Sequence, residues 1–228
     1  METRFRGRAA LHGETLVVAG LHLGRGAASA VEAPVGDGAD VCERLESHVE
    51  SLDPDVVVIA GDVLHAFERV PRGVESRLDT LSMCVRRADA RLVVVPGNHD
   101  TMLDTVWDGP TTDAHWLDDR TAVVHGHVDP DVAADRYVLG HDHPSIELAG
   151  KRRPCFLDGP GGPAGTEVLV LPAFNRFTAG VPVNEMDAGS FQSPLVTDAD
   201  ALAPVVRDEA AGETLRFPPL GTFRDRIS

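Results

Sequence analysis

Five short apolar runs in this chain each lead into a polar cluster that contains glycine and histidine. Runs rich in β-branched residues predict buried strands, so each cluster is expected at the end of a strand. In an open α/β sheet, the carboxyl ends of the strands form the crevice where ligands bind. We therefore expect the clusters to meet in one crevice. They are GLH (Gly20–His22), GDVLH (Gly61–His65), GNHD (Gly97–Asp100), HGH (His125–His127) and GHDH (Gly140–His143).

The segments between the clusters alternate helical and extended patterns. Apolar residues at helical spacing predict a helix over Ala39–Leu52 and a second helix that contains Val74–Val85. Arg4–Leu11 and Glu14–Ala19 are predicted strands that form a hairpin at His12-Gly13. This order favours an α/β core of two packed sheets with helices outside. The other predicted strands are Asp55–Ala60, Arg91–Val95, Thr121–Val124, Arg136–Leu139, Ser145–Leu148, Pro154–Leu157 and Glu167–Leu171.

Composition bounds the size and the partners of the molecule. The 228 residues suit one domain over residues 1–228, with a weakly patterned acidic tail from about residue 193. The net charge is -15, and Lys151 is the one lysine among 21 basic residues. This balance is typical of proteins from a salt-rich cytoplasm and argues against a broad nucleic-acid surface, although it allows a local basic groove. With no long apolar run or secretory leader in the sequence, we expect a cytoplasmic protein without a membrane partner.

The residue types in the clusters indicate metal chemistry. Seven of the ten histidines fall in the five clusters, together with aspartate and asparagine. Imidazole, carboxylate and carboxamide groups are the ligands of dications such as zinc, manganese and iron. A single histidine at a strand end is often only structural, but five such clusters in order predict a metal centre.

The ordered clusters resemble the motifs of the calcineurin-like metallophosphoesterase superfamily, which run D-x-H, G-D-x-x-H, G-N-H-D/E, H-G and G-H-x-H. The resemblance covers about Thr15 to His143. RRPCF (Arg152–Phe156) and LPAFNRFTAG (Leu171–Gly180) are similar to the prokaryotic DNA-ligase-associated phosphoesterases. The superfamily implies a four-layer α/β/β/α sandwich of two mixed sheets flanked by helices. It also implies hydrolysis of phosphoester bonds, in phosphodiester or nucleic-acid-related substrates, by a hydroxide that two metal ions activate.

Carried over position by position, the resemblance implies a binuclear centre. Asp62 would bridge both ions, and His22 and His143 would complete the first site. The second site would consist of Asn98, His125 and His141. Manganese is the first expectation for the two ions, with zinc, iron, nickel and magnesium as alternatives. The implied metal ligands are therefore His22, Asp62, Asn98, His125, His141 and His143.

The remaining implied roles concern catalysis and the substrate. His99 would give a proton to the leaving group or stabilise the transition state near it, and Asp100 would orient His99 by a hydrogen bond. Asn98 would also contact the substrate. Arg25 lies beside the first cluster, where it would bind a phosphate; a solvated surface arginine is the alternative interpretation. His65 and His127 would lie behind the ligands rather than among them.

Gly20 departs from the pattern, because the first motif of the family has aspartate at this position. One ligand of the first site is thus absent. Three interpretations stay open: a change introduced into an active enzyme, an enzyme that works with water in the ligand's place, and a metal-binding pseudoenzyme or scaffold. Glu32 or Asp37 in the following loop is a conceivable substitute ligand. A di-iron redox protein is a further alternative, which the asparagine of GNHD disfavours.

Overall fold

The computed structural model describes residues 3–25, 38–65 and 69–227. Its layers are held together by three groups of buried side chains. The first group lies between a five-stranded sheet and the two helices on its face. The second lies between this sheet and a seven-stranded sheet, and the third lies between the seven-stranded sheet and an outer layer. No helix in the described residues is long and apolar enough to cross a membrane.

The first sheet has five strands and carries two helices on one face. Leu45 and Leu81 of the helices pack with Leu16 and Ile59 of the sheet. The strands, in spatial order, are β1 (Thr3–Arg6), β2 (Ala9–His12), β3 (Thr15–Val18), β4 (Val56–Ala60) and β5 (Arg91–Val95), and the helices are α1 (Ala39–Leu52) and α2 (Val74–Arg87). β3, β4 and β5 are parallel, so their carboxyl ends reach the same edge.

The second sheet is also mixed, and its inner face packs on the first. Val17 and Val58 of the first sheet belong to the same buried group as Val123, Val138 and Leu169 of the second. β7, β8 and β12 are parallel. The seven strands in spatial order are β15 (Glu213–Arg216), β14 (Ala203–Asp208), β11 (Phe156–Gly159), β12 (Glu167–Val170), β8 (Arg136–Leu139), β7 (Thr121–Val124) and β6 (His115–Trp116).

The fourth layer covers the outer face of the second sheet. It contains one helix, α3 (Leu220–Ile227), and a small sheet of β10 (Lys151–Pro154), β9 (Pro144–Leu148) and β13 (Val181–Pro182) within the described residues. The predicted α/β class, with two mixed sheets packed together between outer layers, is confirmed. The small third sheet in the outer layer was not predicted.

The predicted strand Arg4–Leu11 is wrong as one strand. The chain turns at Gly7 and Arg8, so that β1 and β2 form a hairpin in which Arg6 pairs with Ala9. Gly7 has a φ of 56°, a left-handed conformation that glycine adopts without a steric penalty. In the sequence, the glycine of Gly7-Arg8 was the local signal for a two-residue hairpin turn.

The predicted strand Pro154–Leu157 also divides. Pro154 ends β10 in the small sheet, whereas Phe156 begins β11 in the second large sheet. Cys155 lies between them and is fully buried. A continuous apolar run therefore passes from one sheet to another, which periodicity in the sequence does not reveal.

Candidate metal centre

The five polar clusters lie together because the strands before them end at one edge. The clusters follow β3, β4 and β5 of the first sheet and β7 and β8 of the second. The two sheets are joined there by His125, whose Nδ1 lies 3.1 Å from the carbonyl oxygen of Ala60. We therefore assign the ring proton to Nδ1, which donates it to this carbonyl oxygen. The lone pair of Nε2 then faces the crevice, where it can bind a metal ion.

The first group of donor atoms comes from His22, Asp62 and His143, all buried. The Nε2 atoms of the two histidines lie 3.0 Å apart, and Nε2 of His143 lies 3.2 Å from Oδ2 of Asp62. Nε2 of His22 is 4.0 Å from the same oxygen. The Nδ1 atoms of both rings are buried and have no hydrogen-bond partner among the described residues. Imidazoles and a carboxylate that converge in this way form a suitable set of metal ligands.

The second group shares Asp62 with the first and adds His125 and His141. Nε2 of His125 lies 3.4 Å from Oδ1 of Asp62 and 3.1 Å from Oδ1 of Asn98. The rings of His125 and His141 lie 4.9 Å apart between centroids. The two oxygens of one carboxylate thus face two different sets of imidazoles, and the amide oxygen of Asn98 joins the second set.

Several of these residues have a left-handed backbone. The φ angles are 44° at His22, 53° at Asp62, 66° at Asp142 and 45° at His143. Such angles are uncommon outside glycine and persist where surrounding contacts determine them. Here backbone bonds between clusters contribute, including one of 2.9 Å from the N–H of His22 to the carbonyl of Asp62.

Burial sets the charge of the donors. It lowers the pKa of His22 to about 3, with a contribution from His143, and lowers the pKa of His125 to about 4. Burial by itself would raise the pKa of Asp62, but the hydrogen bond with His143 and the nearby histidines hold that pKa below its usual range. Near neutral pH these imidazoles are uncharged and the carboxylate is charged, which are the forms that bind metals.

His65 and His99 lie against the first group. The ring of His22 meets His99 edge-on at 5.4 Å between centroids and meets His65 at 5.5 Å. The donor atoms of these three histidines also lie within 4.8 Å of one another. His127 lies on the other side, with its ring 5.1 Å from that of His125. The three histidines that sequence analysis placed around the ligands thus lie against the two groups.

Arg25 lies at the rim of the crevice beside the first group. Its guanidinium donates to the hydroxyl of Thr178 over 3.3 Å. Burial, and after it the nearby charge of Arg25, lowers the pKa of His65. This position is compatible with the predicted phosphate contact.

Asp100 is tied to the backbone of two clusters. Its Oδ2 accepts the N–H groups of Gly97 at 2.8 Å and Val63 at 3.2 Å, and its Oδ1 accepts that of Leu64 at 2.8 Å. Burial nevertheless raises its pKa to about 6. The sequence predicted that this carboxylate orients His99 by a hydrogen bond. The bonds described above join the bends after β4 and β5, and the orienting role stays a prediction.

Gly20 occupies a position that is closed to a side chain. Its φ is 62°, and a Cβ atom there would lie 2.5 Å from Cε1 and 2.7 Å from Nε2 of His143. The ring of His143 thus fills the space through which a ligand from residue 20 would enter. Glu32 and Asp37, the substitutes suggested by the sequence, lie outside the described residues.

A further segment at the crevice had no role assigned from the sequence, although LPAFNRFTAG formed part of the resemblance to the DNA-ligase-associated phosphoesterases. Residues 173–181, here called the rim segment, begin shortly after β12, whose carboxyl end reaches the same edge. Asn175 donates its N–H to the carbonyl of Gly20 at 3.1 Å and its Nδ2 to that of Leu21 at 2.8 Å. Oδ1 of Asn175 accepts the N–H of Phe177 at 2.8 Å. One buried amide therefore holds the backbone of the first cluster.

The other end of the rim segment is bound to the fifth cluster. Val181 donates its N–H to the carbonyl of His143 over 3.0 Å. Two partly buried arginines, Arg8 and Arg44, secure the segment from beneath. They donate to three of its carbonyl oxygens, those of Ala173, Phe174 and Asn175. The rim segment thus links the backbones that carry His22 and His143.

Comparison with known proteins identifies a matching family and similar solved structures. The family model described as calcineurin-like phosphoesterase matches residues 15–129, just over half of the 228 residues. No curated protein sequence matches the chain. Among solved structures, Pseudomonas putida nuclease MPE is 22% identical, with a TM-score of 0.63 over 92% of this chain and 91% of that chain. Yfce, a phosphoesterase from E. coli, is 13% identical, with a TM-score of 0.46 over 90% of this chain and 98% of that chain.

Proposed function

Because this chain belongs to the calcineurin-like phosphoesterase family, we propose that it hydrolyses phosphodiesters, including nucleic-acid-related ones, with two divalent metal ions at the crevice. The observation that carries the proposal is the position of Asp62 between two sets of imidazoles. A carboxylate shared in this way is suited to bridge two cations that act on one phosphoryl group.

The donor set fits a pair of dications. His22, Asp62 and His143 would hold the first ion, and Asn98, His125 and His141 would hold the second together with Asp62. Imidazole, carboxylate and amide donors suit manganese, zinc, iron or nickel, and manganese is our first choice. When bound, such ions neutralise charge on the phosphoryl group and lower the pKa of a water molecule.

The protein's own groups bind and protonate the substrate. His99 stands beside His22 and faces the first group, where it would give a proton to the oxygen of the leaving group. Asp100 would position His99 by fixing the bends on either side of the crevice. Arg25 and the amide of Asn98 would bind phosphate oxygens. His65 and His127 would support the ligand rings without binding an ion.

Hydrolysis of bis-p-nitrophenyl phosphate tests the proposal. The metal-loaded protein should release p-nitrophenol, EDTA should stop the release, and Asp62→Ala should lower kcat/KM by about 100-fold or more. His115→Ala is a matched control, because His115 lies in β6 outside the clusters. Absence of turnover in both the native chain and Gly20→Asp, with manganese, zinc, nickel and iron in turn, would refute the proposal.

A metal-binding protein with little activity is the second candidate, because the ring of His143 closes the position of the absent ligand at Gly20. The metal content per chain distinguishes the two. A single ion with negligible turnover, joined by a second ion and activity in Gly20→Asp, would favour a binding protein or an altered enzyme. Substantial turnover by the native chain would exclude the binding protein.

A further inference from the structure

Two exposed aromatic residues belong to segments on opposite sides of the crevice. Phe177 in the rim segment is 46% exposed and lies on the side of the first group. Trp116 in β6 is 42% exposed and lines a cavity of about 350 Å³. His125 and His127, on the side of the second group of ligands, line the same cavity. Either aromatic ring could contact the part of a substrate that extends beyond the reacting phosphate.

The charges on the two sides differ. The cavity at Trp116 is lined by the carboxyl groups of Asp113, Asp129 and Asp131. Phe177, in contrast, is followed by Thr178, whose hydroxyl accepts a hydrogen bond from Arg25. The carboxyl groups at Trp116 repel a polyanion, whereas Arg25 beside Phe177 attracts one, even though the whole chain carries a net charge of -15.

The backbone around Phe177 is held in place before any substrate arrives. Its N–H donates to Oδ1 of Asn175, and the same amide is bound to the carbonyl of Leu21. The segment is also fixed at Val181 through the carbonyl of His143. Because the backbone that carries Phe177 is fixed in advance, it loses little conformational entropy when a ligand binds, which favours affinity.

We propose that a single-stranded nucleic acid lies across the rim segment, with a base stacked on Phe177 and a phosphate beside Arg25. Bases stack on exposed aromatic rings regardless of sequence, whereas in a duplex their faces are covered by neighbouring bases. The nucleic acid therefore approaches the crevice along the rim segment. Only an uncharged part of the substrate would occupy the acidic cavity at Trp116. Cleavage of the bound strand rests on the proposed function, but its binding does not.

Fluorescence anisotropy with a fluorescein-labelled oligothymidylate tests the binding, with the full chain in EDTA so that no cleavage occurs. Phe177→Ala should weaken binding about 5-fold or more, whereas Phe177→Tyr, which keeps the ring, should bind like the native chain. Arg25→Gln should reduce the slope of log affinity against log salt by about 1. Trp116→Ala is the matched control and should leave the affinity unchanged. A duplex of the same length should bind more weakly than the single strand.

Turnover gives the second measurement. With metal present, Phe177→Ala should lower kcat/KM for the oligonucleotide at least about 5-fold more than for methyl p-nitrophenyl phosphate, which is too small to reach the rim. An equal loss on both substrates, no loss on either, or a loss with Trp116→Ala instead would overturn the proposal. If the native chain hydrolyses neither substrate, the anisotropy measurement still tests whether the oligonucleotide binds at the rim segment. Failure of the proposed function and failure of this proposal can therefore be distinguished.

Discussion

Residue 20 lies where a steric constraint meets the metal site that we propose. The left-handed backbone at Gly20 favours glycine, and the ring of His143 stands where a side chain would begin. The contact is with the outer end of the imidazole, which can move by rotation about its side-chain bonds. A carboxylate can therefore enter only if His143 turns away, and an ion bound between the two would favour that turn.

The comparison of Gly20→Asp with Gly20→Ala separates the steric effect from the ligand effect. Both variants should lower the free energy of unfolding of the metal-free protein by about 1–2 kcal/mol, because both force an L side chain into a left-handed conformation. Only the aspartate should raise manganese affinity at the first site. Urea denaturation in EDTA and titration with manganese measure the two effects. Equal manganese binding by both variants would contradict this prediction.

Proton binding by the buried histidines predicts how stability depends on pH. The folded-state pKa values of His22 and His125 are about 3 and about 4, below the ordinary 6.5. As pH falls below about 6.5, the unfolded chain binds protons that the folded chain does not, so the free energy of unfolding falls. Each histidine contributes up to about 1.4 kcal/mol per pH unit. Asp100, with its pKa raised to about 6, acts in the opposite direction and offsets part of this loss.

Urea denaturation of the metal-free protein between about pH 7 and pH 5 measures the dependence. We expect the free energy of unfolding to decrease towards pH 5, and His22→Asn should show a shallower decrease. A flat profile in the native chain would contradict the assignment of neutral, buried imidazoles.

At this scale the sequence predicted which residues meet but not how each is held. Histidine and aspartate at strand ends are visible as local patterns, so the convergence of His22, Asp62 and His125 could be expected. The partners of Asp100 and the ring that faces Gly20 come from distant parts of the chain, and local patterns carry no information about them. The roles of the individual residues remain predictions.

Among the elements, those with a clear hydrophobic period were predicted well. The helix over Ala39–Leu52 begins and ends as expected, because its buried stripe and the glycine before it are local signals. Arg4–Leu11 was wrong because the turn at Gly7 interrupts a run whose composition stays strand-like. The rim segment was missed as a functional element, since the bonds from Asn175 to Leu21 and from Val181 to His143 join residues far apart in sequence.

The rim segment predicts a specific effect of Asn175. Asn175→Ala should lower the free energy of unfolding by about 1–3 kcal/mol, because it leaves the carbonyl of Leu21 without its donor. It should also weaken manganese binding at the first site more than at the second. Calorimetric titration with manganese measures both affinities.

Asn184→Ala is the matched control, since this amide also bonds to backbone on both sides, at Glu147 in the outer layer. It should leave both metal affinities unchanged. Equal weakening of the two sites by Asn175→Ala would indicate a general loss of structure instead of a local effect on His22.

For the whole molecule, the net charge of -15 predicts a dependence on salt. Like charges repel one another in the compact state, and added salt screens that repulsion. The Tm of the metal-free protein should rise as potassium chloride increases from about 0.1 M to about 1 M, by about 2–4 °C for each kcal/mol of repulsion removed. Calorimetry measures the shift. A Tm that stays constant or falls over this range would contradict the prediction.

The left-handed backbones at the crevice carry an evolutionary consequence. At His22, Asp62 and His143 the conformation favours glycine, but glycine would remove the donor atom. At these positions the backbone favours glycine, whereas metal binding requires a side chain. Mutation to glycine would relieve the backbone and remove the ligand. Gly20 has the same conformation and already carries that residue. An aspartate at this position would supply a ligand atom at a cost in stability.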